Sequence, residues 1–598
     1  MIPTIEILGN IRKNSATNKD EVFTRLYRYM LRPDIYFIAY KNLYANNGAA
    51  TKGVDDDTAD GFGVEKIRKI IELLQNETYQ PKPVRRTYIE KKNGKLRPLG
   101  IPTFTDKLVQ EVLKMILESV YEPNFENTSH GFRHGRSCHT ALSAIKKEFS
   151  GIKWFIEGDI KGCFDNIDHH VLVELINGKI KDMRLIKLIW KFLKAGYLEN
   201  WNYNATYSGC PQGGIVSPIL SNICLHELDK FVMKLAKDFY KPYDRKYTDE
   251  YYACRVKVEL IRRKINKSEG LERQKHVEEL NAARAEMLKT PSKSQTDKKI
   301  RYIRYADDFL IGVNGSKEDC VEIKRKISDF IANSLKMELS EEKTLITHSS
   351  ENARFLGYDV SVRRSGKIKH GATGNVTKRT LNNSVDLSIP LDDKIMPFLF
   401  DKRAVVQKNG EVKPMHRPFL LNCTDLEIVS VYNAELRGIC NYYHLASNFC
   451  KLSYFAYLMA YSCLKTLCNK HKTTIGKFIT KHRHDKKWGI PYVNKSGNQV
   501  IYFADYTECK KCTVASDSIS KEPIYHTSNR TTFESRLSAK QCELCGTTTA
   551  DCYEIHHINK VKNLKGKELW EQVMIAKKRK TLAVCKECHC KIHGRVLK

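Results

Sequence analysis

Three aspartates carry the first chemical signal in this 598-residue chain. Asp307 and Asp308 stand side by side in Tyr305-Ala306-Asp307-Asp308, between two apolar, strand-like stretches, Ile300–Tyr305 and Phe309–Val313. The second stretch ends at Asn314-Gly315, a turn signal, so the segment reads as a β-hairpin with adjacent carboxylates at its tip. Neighbouring anions repel; such a pair stays solvated, raises one pKa, or is neutralised by a divalent cation. A solvated Asp-Asp turn is the bland reading, and a third carboxylate weighs against it. Asp159 follows the short apolar strand Lys153–Ile156 through Glu157-Gly158. An aspartate ending one strand beside an Asp-Asp tip on its neighbour can bind two hard cations ~3.5–4 Å apart, the clamp used in nucleotidyl transfer. Magnesium suits such an all-oxygen ligand set.

A second cluster lies at the C-terminus. Cys542-Glu-Leu-Cys545-Gly546 and Cys585-Lys-Glu-Cys588 are paired-thiolate knuckles, and four thiolates suit tetrahedral, structural zinc. Cys509-Lys-Lys-Cys512 is a third pair without a following glycine and reads as unligated thiols. Between the knuckles stands Glu554-Ile-His556-His557, and His589 and His593 follow the last cysteine. With zinc satisfied by sulfur, these imidazoles are available for hydrolytic work. A ββα-metal nuclease needs one histidine as general base and others around a cation at the scissile phosphate. The positions suggest His557 as base, with His556, His589 and His593 near one magnesium ion. The competing view is a zinc ribbon whose histidines only touch phosphate.

The whole-chain properties agree with a polyanionic partner. The formal charge is +32, and no run approaches 18 uninterrupted apolar residues, so nucleic acid is favoured over membrane. Nineteen cysteines without an export signal at Met1–Asn10 indicate a reducing compartment. Cys138, Cys163, Cys224, Cys440 and Cys463 read as buried structural residues. The length implies several domains.

The elements that must position these groups follow in order. The first 80 or so residues look helical, through Val22–Tyr40 and Ile67–Leu74. Val84–Pro102 is a basic hairpin turning at Asn93-Gly94, with Lys91 and Arg97 spaced to face a common anion such as a triphosphate. A helix over Lys107–Val120 precedes a basic loop, Gly131-Phe132-Arg133 to Arg136-Ser137-Cys138. Cys210–Pro218 carries a glycine pair before a helix at Leu220–Leu235, and its Gln212 is placed to touch a base or template strand. Residues 241–298 are charged and read as an inserted helical pair (Val256–Lys264 and Val277–Met287) with a solvated surface. A helix at Val321–Leu335 leads to Ser340–Thr344, and Phe355–Asp359 reads as a short strand. Arg363, Arg364, Lys367, Lys369, Lys378 and Arg379 form a strip without acidic residues, suited to phosphates. Leu426–Lys470 is a helical region whose aromatics (Tyr432, Tyr442, Tyr443, Tyr454, Phe455, Tyr457) read as core.

Taken together, these motifs resemble the bacterial group II intron-encoded proteins, reverse transcriptase–maturases with a C-terminal HNH endonuclease. The likeness rests on Phe155-Ile-Glu-Gly-Asp159, Pro211–Pro218, Tyr305–Asp308, Phe355–Tyr358 and the Cys542–His593 block, with support from Tyr88–Pro102, Gly131–Ser137 and Leu426–Asn448. It implies an α+β, right-hand polymerase: fingers and palm over 1–360, a helical thumb or maturase domain over 361–480, a small DNA-binding or linking domain over 481–540, and a zinc-stabilised ββα-metal (HNH) module over 541–598. It implies Asp159, Asp307 and Asp308 as ligands of two magnesium ions, and Phe164 as the gate against a ribose 2′-hydroxyl. Lys91 and Arg97 then grip the triphosphate, and Lys343 is a basic residue behind the site. The implied partners are intron RNA, target DNA and dNTPs, in a bacterial cytoplasmic ribonucleoprotein, with the oligomeric state open. The family pattern departs at one point: zinc-type HNH sequences place Asn where this chain has Lys580, leaving Asn559 or Asn563 for that role. Two other readings stand beside this one, a splicing factor that no longer polymerises and an RNA-dependent RNA polymerase. The intact aspartate trio disfavours the first; Phe164 and the nuclease block disfavour the second.

Overall fold

The two apolar runs around Ala306-Asp307 and the strand ending at Asp159 meet in one sheet. This is seen in a computed structural model that describes residues 2–594, except 47, 91–93, 95, 200–201, 207, 211–212, 243–246, 291, 293–296, 366–367, 371–376, 380–381, 485–486, 495–496 and 510–531, and except the side chains of 368–370 and 377–379. The sheet is antiparallel, in the order Lys299–Tyr305, Asp308–Asn314, Trp154–Asp159, Ile346–His348. Its central strands are apolar at nearly every position because both faces are covered. Period-two alternation sends Phe309, Ile311 and Val313 to one core with Ile300 and Tyr302, and Leu310 to the other with Phe155 and Ile303. The sheet is therefore the partition between the two large cores of the molecule.

The first core gathers the N-terminal helices (Thr4–Thr17, Pro33–Leu43, Val64–Gln75), the helix Phe104–Tyr121 and the long helix Ser217–Phe239. Phe104–Tyr121 is buried almost all round, and Thr103 caps it by accepting from Asp106 N at 3.2 Å. The basic hairpin forms as expected, Val84–Glu90 against Leu96–Ile101, and adds Tyr197–Glu199 and Asn202–Asn204 to make a second sheet. The second core is built on the helices Asp425–Tyr442 and Leu452–Lys470. Its neighbours include the hairpin Lys487–Asn494/Gly497–Tyr502, tied in by Asn433, whose Nδ2 donates to Tyr502 O at 2.8 Å and whose Oδ1 accepts from Ala504 N at 2.8 Å.

The charged insertion is a pair of helices, Asp249–Ile265 and Gly270–Lys289, joined through a small apolar seam of Val258, Ile261 and Ala283, with its outer faces in solvent. Its two ends return together where Lys241 pairs with Lys298. Among the described residues no helix is long and apolar enough to cross a membrane.

Several expectations need correction. Phe355–Asp359 is not one strand but the turn of a hairpin, Ala353–Phe355 against Tyr358–Val362. Leu356 and Gly357 at φ of 46° and 72° reverse the chain there. Among the aromatics, Tyr432, Tyr443 and Phe455 are buried, but Tyr454 and Tyr457 are 52% and 49% exposed and line up with Tyr461 on the outer face of Leu452–Lys470. Their helix has one buried face, and three of its tyrosines fall off it. Cys138 is half-buried, because it begins the helix Cys138–Glu148 rather than lying within it. Within 481–540, the strands up to Tyr502 join the second core, whereas Thr532–Ser538 inserts Phe533 and Leu537 into the first.

One buried ion pair fixes the hairpin of the central sheet. Arg304 and Asp229 are both 0% exposed and form a fork at 2.7 and 2.7 Å, with Tyr302 donating to the same carboxylate at 2.8 Å. Asp229→Ala leaves a buried guanidinium unpaired and should cost about 3–5 kcal/mol in denaturant unfolding. A loss below about 1 kcal/mol would contradict that account.

Candidate functional sites

Asp159 ends its strand directly opposite Asp308 in antiparallel register, and Tyr305 pairs with Asp308 across the two-residue turn Ala306-Asp307. The strand register therefore brings all three sequence-predicted carboxylates to one end of the sheet. Ala306 takes a left-handed φ of 57°, and Arg304 holds it there by donating Nη1 to the Ala306 carbonyl at 2.9 Å. The rest of the fork reaches Asn222 Oδ1 at 3.1 Å and Ser129 Oγ at 2.8 Å, and Asn222 Nδ2 donates to Gly131 O at 2.9 Å. Gly131 lies so close under the tip that a Cβ there would sit 2.2 Å from Ala306 N. Gly158 has a comparable role: a Cβ would meet the Phe309 ring at 2.1 Å, so only glycine lets Phe309 cross the strand beside Asp308.

The electrostatics match a cation site. Burial, together with the charges of Asp307 and Asp159, pushes Asp308 up to about 7. Burial and Asp159 also raise Asp307, against the pull of Arg97 and Lys343. Lys343 Nζ donates to Asp159 Oδ2 at 2.6 Å, and that bond raises the lysine in turn. Mutual repulsion in a partly desolvated trio is what a divalent ion relieves.

Around the trio, Arg97 lies exposed on Leu96–Ile101, close enough to act on Asp307. Phe164 is 9% exposed; its carbonyl accepts from Cys210 N at 2.7 Å, and Phe132 sets its ring edge at 5.9 Å. Phe132, itself 53% exposed, was legible only as part of a basic loop. Gly213, at φ 109°, packs against the Gly100 carbonyl and ties the glycine loop to the basic hairpin. Lys91 and Gln212 lie outside the described residues, as does Lys367. Lys369 and Lys378 face each other in the register of Ile368–His370 with Thr377–Arg379. Arg363 pairs with Asp386 at 3.4 Å, and Arg364 donates to Ile152 O at 3.1 Å, so both are anchored within the fold.

Ligand atoms converge within 4.8 Å of one another in two places among the described residues, one inside the C-terminal module and one between it and the N-terminal region; the aspartate trio is more widely spaced. The first is Cys542, Cys545, Cys585 and Cys588, as the spacing predicted. Gly546 at φ 77° closes the first knuckle by donating its N–H to Cys542 O at 2.9 Å. Burial opposes ionisation of Cys542, but backbone N–H groups of Cys545, Cys585 and Leu544 outweigh it and bring the thiol down to about 7. Burial holds Cys585 and Cys588 up instead, so the case for zinc rests on the convergence of four sulfurs.

The second place holds His556, His589 and His593 with Asp60, which sequence reasoning missed. Asp60 belongs to the acidic run Val54–Asp60, and nothing in that run points to a residue 497 positions away. His556 and His557 lie on Tyr553–His557, which pairs with Thr581–Cys585; His589 lies on the helix Lys586–Ile592. This is the two-strand-and-helix layout the sequence suggested. Glu554 Oε2 accepts from His589 Nδ1 at 2.7 Å, which turns Nε2 towards Asp60. Burial pulls His589 down, but its bonds to Asp60 and Glu554 prevail and lift it to about 9. His557 joins this group only through its backbone, whose N–H donates to Asp60 Oδ1 at 2.7 Å; its ring turns away, Nε2 donating to the Tyr44 carbonyl at 3.1 Å, and burial lowers its pKa. Lys580 offers its backbone carbonyl to Ile558 N at 3.0 Å, while Asn559 and Asn563 are exposed. The Tyr44 carbonyl therefore holds the His557 ring.

Comparison with known proteins agrees along the chain. Residues 89–251 and 280–360 match the reverse transcriptase (RNA-dependent DNA polymerase) family, interrupted within the charged helical pair. Residues 382–513 match the type II intron maturase family, and 542–589 the AI2M/AI1M-like HNH endonuclease family. The sequence is 60% identical to the group II intron-encoded protein LtrA of Lactococcus lactis subsp. cremoris, over 98% of this chain and 99% of that one. It is 35% identical to an uncharacterized 91 kDa protein in a cob intron of Schizosaccharomyces pombe, covering 99% of this chain and 72% of that one. Against the putative COX1/OXI3 intron 2 protein of Saccharomyces cerevisiae the identity is 30%, with coverage of 98% and 68%. From the aspartate trio to the histidine–cysteine module, the chain belongs to the group II intron-encoded proteins, which unite reverse transcriptase, intron maturase and HNH endonuclease in one polypeptide.

Proposed function

We propose that Asp159, Asp307 and Asp308 hold two magnesium ions, and that the right-hand arrangement of fingers, palm and thumb closes around them. The observation that carries this reading is the placement of Asp159 opposite Asp308 with Asp307 adjacent, in a trio whose burial and mutual repulsion raise Asp308 to about 7. When bound, the ions supply Lewis acidity to the attacking 3′-hydroxyl and the leaving pyrophosphate. The residues of the chain do the positioning. Lys343 holds Asp159 by Oδ2, which leaves the other carboxylate oxygen for a cation. Arg97 and Lys91 grip the triphosphate of a dNTP. Phe164, braced by Phe132, fills the space a ribose 2′-hydroxyl would need, so DNA is made. Gln212 contacts the template.

The four cysteines hold zinc and shape the nuclease module. His556, His589 and His593 surround its divalent cation, and His557 takes the proton from the attacking water. Arg363, Arg364, Lys367, Lys369, Lys378 and Arg379 lie along intron RNA or target DNA, where the +32 charge meets phosphates. The protein then folds its intron RNA for splicing, nicks a DNA target and copies the inserted RNA from the nicked end. The charge excess, the intact trio and the matched families support this over a polymerase-inactive splicing factor.

Asp308→Asn should abolish primer extension on an RNA template while intron binding and splicing persist; extension at the wild-type rate removes the trio from the mechanism. Gly158→Ala should displace Phe309 and lower extension severely with RNA affinity unchanged, measured by filter binding alongside dNTP incorporation. His557→Ala should stop nicking of target DNA by the RNA-bound protein without affecting extension. Stripping zinc with a chelator should expose residues 541–594 to protease before the rest of the chain; uniform resistance would show that the cysteines carry no structural metal.

A further inference from the structure

The three histidines of the nuclease module do not surround open space. They close on the carboxylate of Asp60, from the other end of the chain. His593 Nε2 lies 2.7 Å from Asp60 Oδ2, His589 Nε2 3.2 Å from the same oxygen, and His556 Nδ1 3.1 Å from Oδ1. His556 is 3% exposed; its Nδ1 meets only Asp60, and its Nε2 is buried without a hydrogen-bond partner. A buried polar nitrogen without a partner is costly, so this ring, with one nitrogen on the Asp60 carboxylate, is placed for a ligand as much as for a hydrogen bond.

Asp60 is held in place by backbone. Gly61 N donates to Ile555 O at 3.0 Å, and Phe62 and Gly63 pair with Ile555 and Glu554, so residues 61–63 form an added edge strand on the nuclease hairpin. Gly63 packs against the Tyr553 carbonyl, where a Cβ would come within 2.8 Å. Phe62 is fully buried, stacked on Tyr40 at 3.9 Å, and Tyr40 Oη donates to Ala59 O at 3.0 Å. The neighbouring acids are committed elsewhere: Asp55 to Lys82, Asp56 to Lys52, and Asp57 to Lys66 and Thr105. Asp60 alone of this run faces the histidines.

Three imidazoles and one carboxylate suit a tetrahedral divalent ion of the zinc class. Catalytic sites of that class keep one position open for water or substrate, whereas structural sites fill all four. The same N-terminal segment also covers the base. The Tyr44 carbonyl can only accept, so His557 Nε2 carries the proton, and the remaining nitrogen, Nδ1, is buried without a partner.

We propose that Asp60 completes a closed metal centre with His556, His589 and His593, as its fourth ligand, and that this centre takes a zinc-class cation and holds the nuclease latent. The ligand assignment stands on geometry alone; the latency rests on reading the module as a nuclease with His557 as base. Cleavage then requires the 59–63 strand to withdraw, so that the phosphodiester takes the position of Asp60 and water reaches His557. A large rearrangement on binding RNA or target DNA would supply that withdrawal.

The test uses the full chain with its cysteine site preloaded with zinc, and cobalt(II) as probe. Wild type should bind one further equivalent with the visible absorption of a tetrahedral nitrogen–oxygen site, and bound metal should slow amide exchange across 59–63 and 553–557. Asp60→Asn, close in shape, should weaken that binding about tenfold or more, and His593→Asn should do the same. If Asp60→Asn binds cobalt as tightly as wild type, Asp60 is not a ligand. RNA-free Asp60→Asn should also nick a duplex carrying the target at least several-fold faster than RNA-free wild type when metal is saturating. If nicking is equal or slower while cobalt binding has fallen, the centre exists but the latch is overturned. If no protein nicks DNA, including wild type bound to intron RNA, while Asp60→Asn still loses cobalt, the metal centre is upheld and the nuclease reading fails.

Discussion

The polymerase half depends on holding three mutually repelling carboxylates together at one end of a sheet. That task falls to Arg304. A guanidinium with no exposed surface is tolerable only when every donor is used, and here the fork is shared among Asp229, Asn222, Ser129 and the Ala306 carbonyl. It joins the hairpin strand, the helix Ser217–Phe239, the loop before Gly131 and the hairpin tip. A lysine would bring one point charge and could not span these four partners. Rigidity at the tip thus comes from a buried charge, and the adjoining glycines allow the pieces to approach closely enough to use it.

The sheet that carries the trio also divides the molecule. Alternating side chains feed one core made with the N-terminal helices and another made with the helices after Asp425. A shift in either core is therefore transmitted to the same strand ends, because close-packed interiors do not absorb displacement locally. The charged helical pair stays out of both cores: its ends return together at Lys241 and Lys298, and Gly270–Lys289 lies beside the small hairpin Ile368–His370/Thr377–Arg379, so even a long insertion leaves the central sheet register intact.

Local pattern made much of this legible in the sequence. The hairpin around Asp307, the helices at Phe104–Tyr121 and Lys317–Ser334, and the cysteine knuckles all announce themselves through period, turn residues or ligand spacing. Leu356-Gly357 escaped because a leucine at positive φ has no local signature; its conformation is imposed by the strands on either side. Tyr454 and Tyr457 escaped because helical spacing does not say which face meets the core. Arg304 and Asp229 look like ordinary surface charges until the fold buries them. Asp60 and the Tyr44 carbonyl were beyond reach for a different reason: they act through contacts that span nearly the whole chain, and a backbone carbonyl has no residue identity to read.

The pairing of Phe62 with Ile555 has a consequence for how the protein is made. Asp60 lies 497 residues ahead of His557, so the N-terminal strand leaves the ribosome long before its partner exists. Throughout synthesis Phe62 and the ring of Tyr40 lack their final cover, and an unpaired strand edge is open to other chains. A polypeptide ending short of Tyr553 keeps that edge for good. Any shortened descendant without the C-terminal module must therefore redraw the surface around Tyr40 and Phe62, or find another strand to cover it.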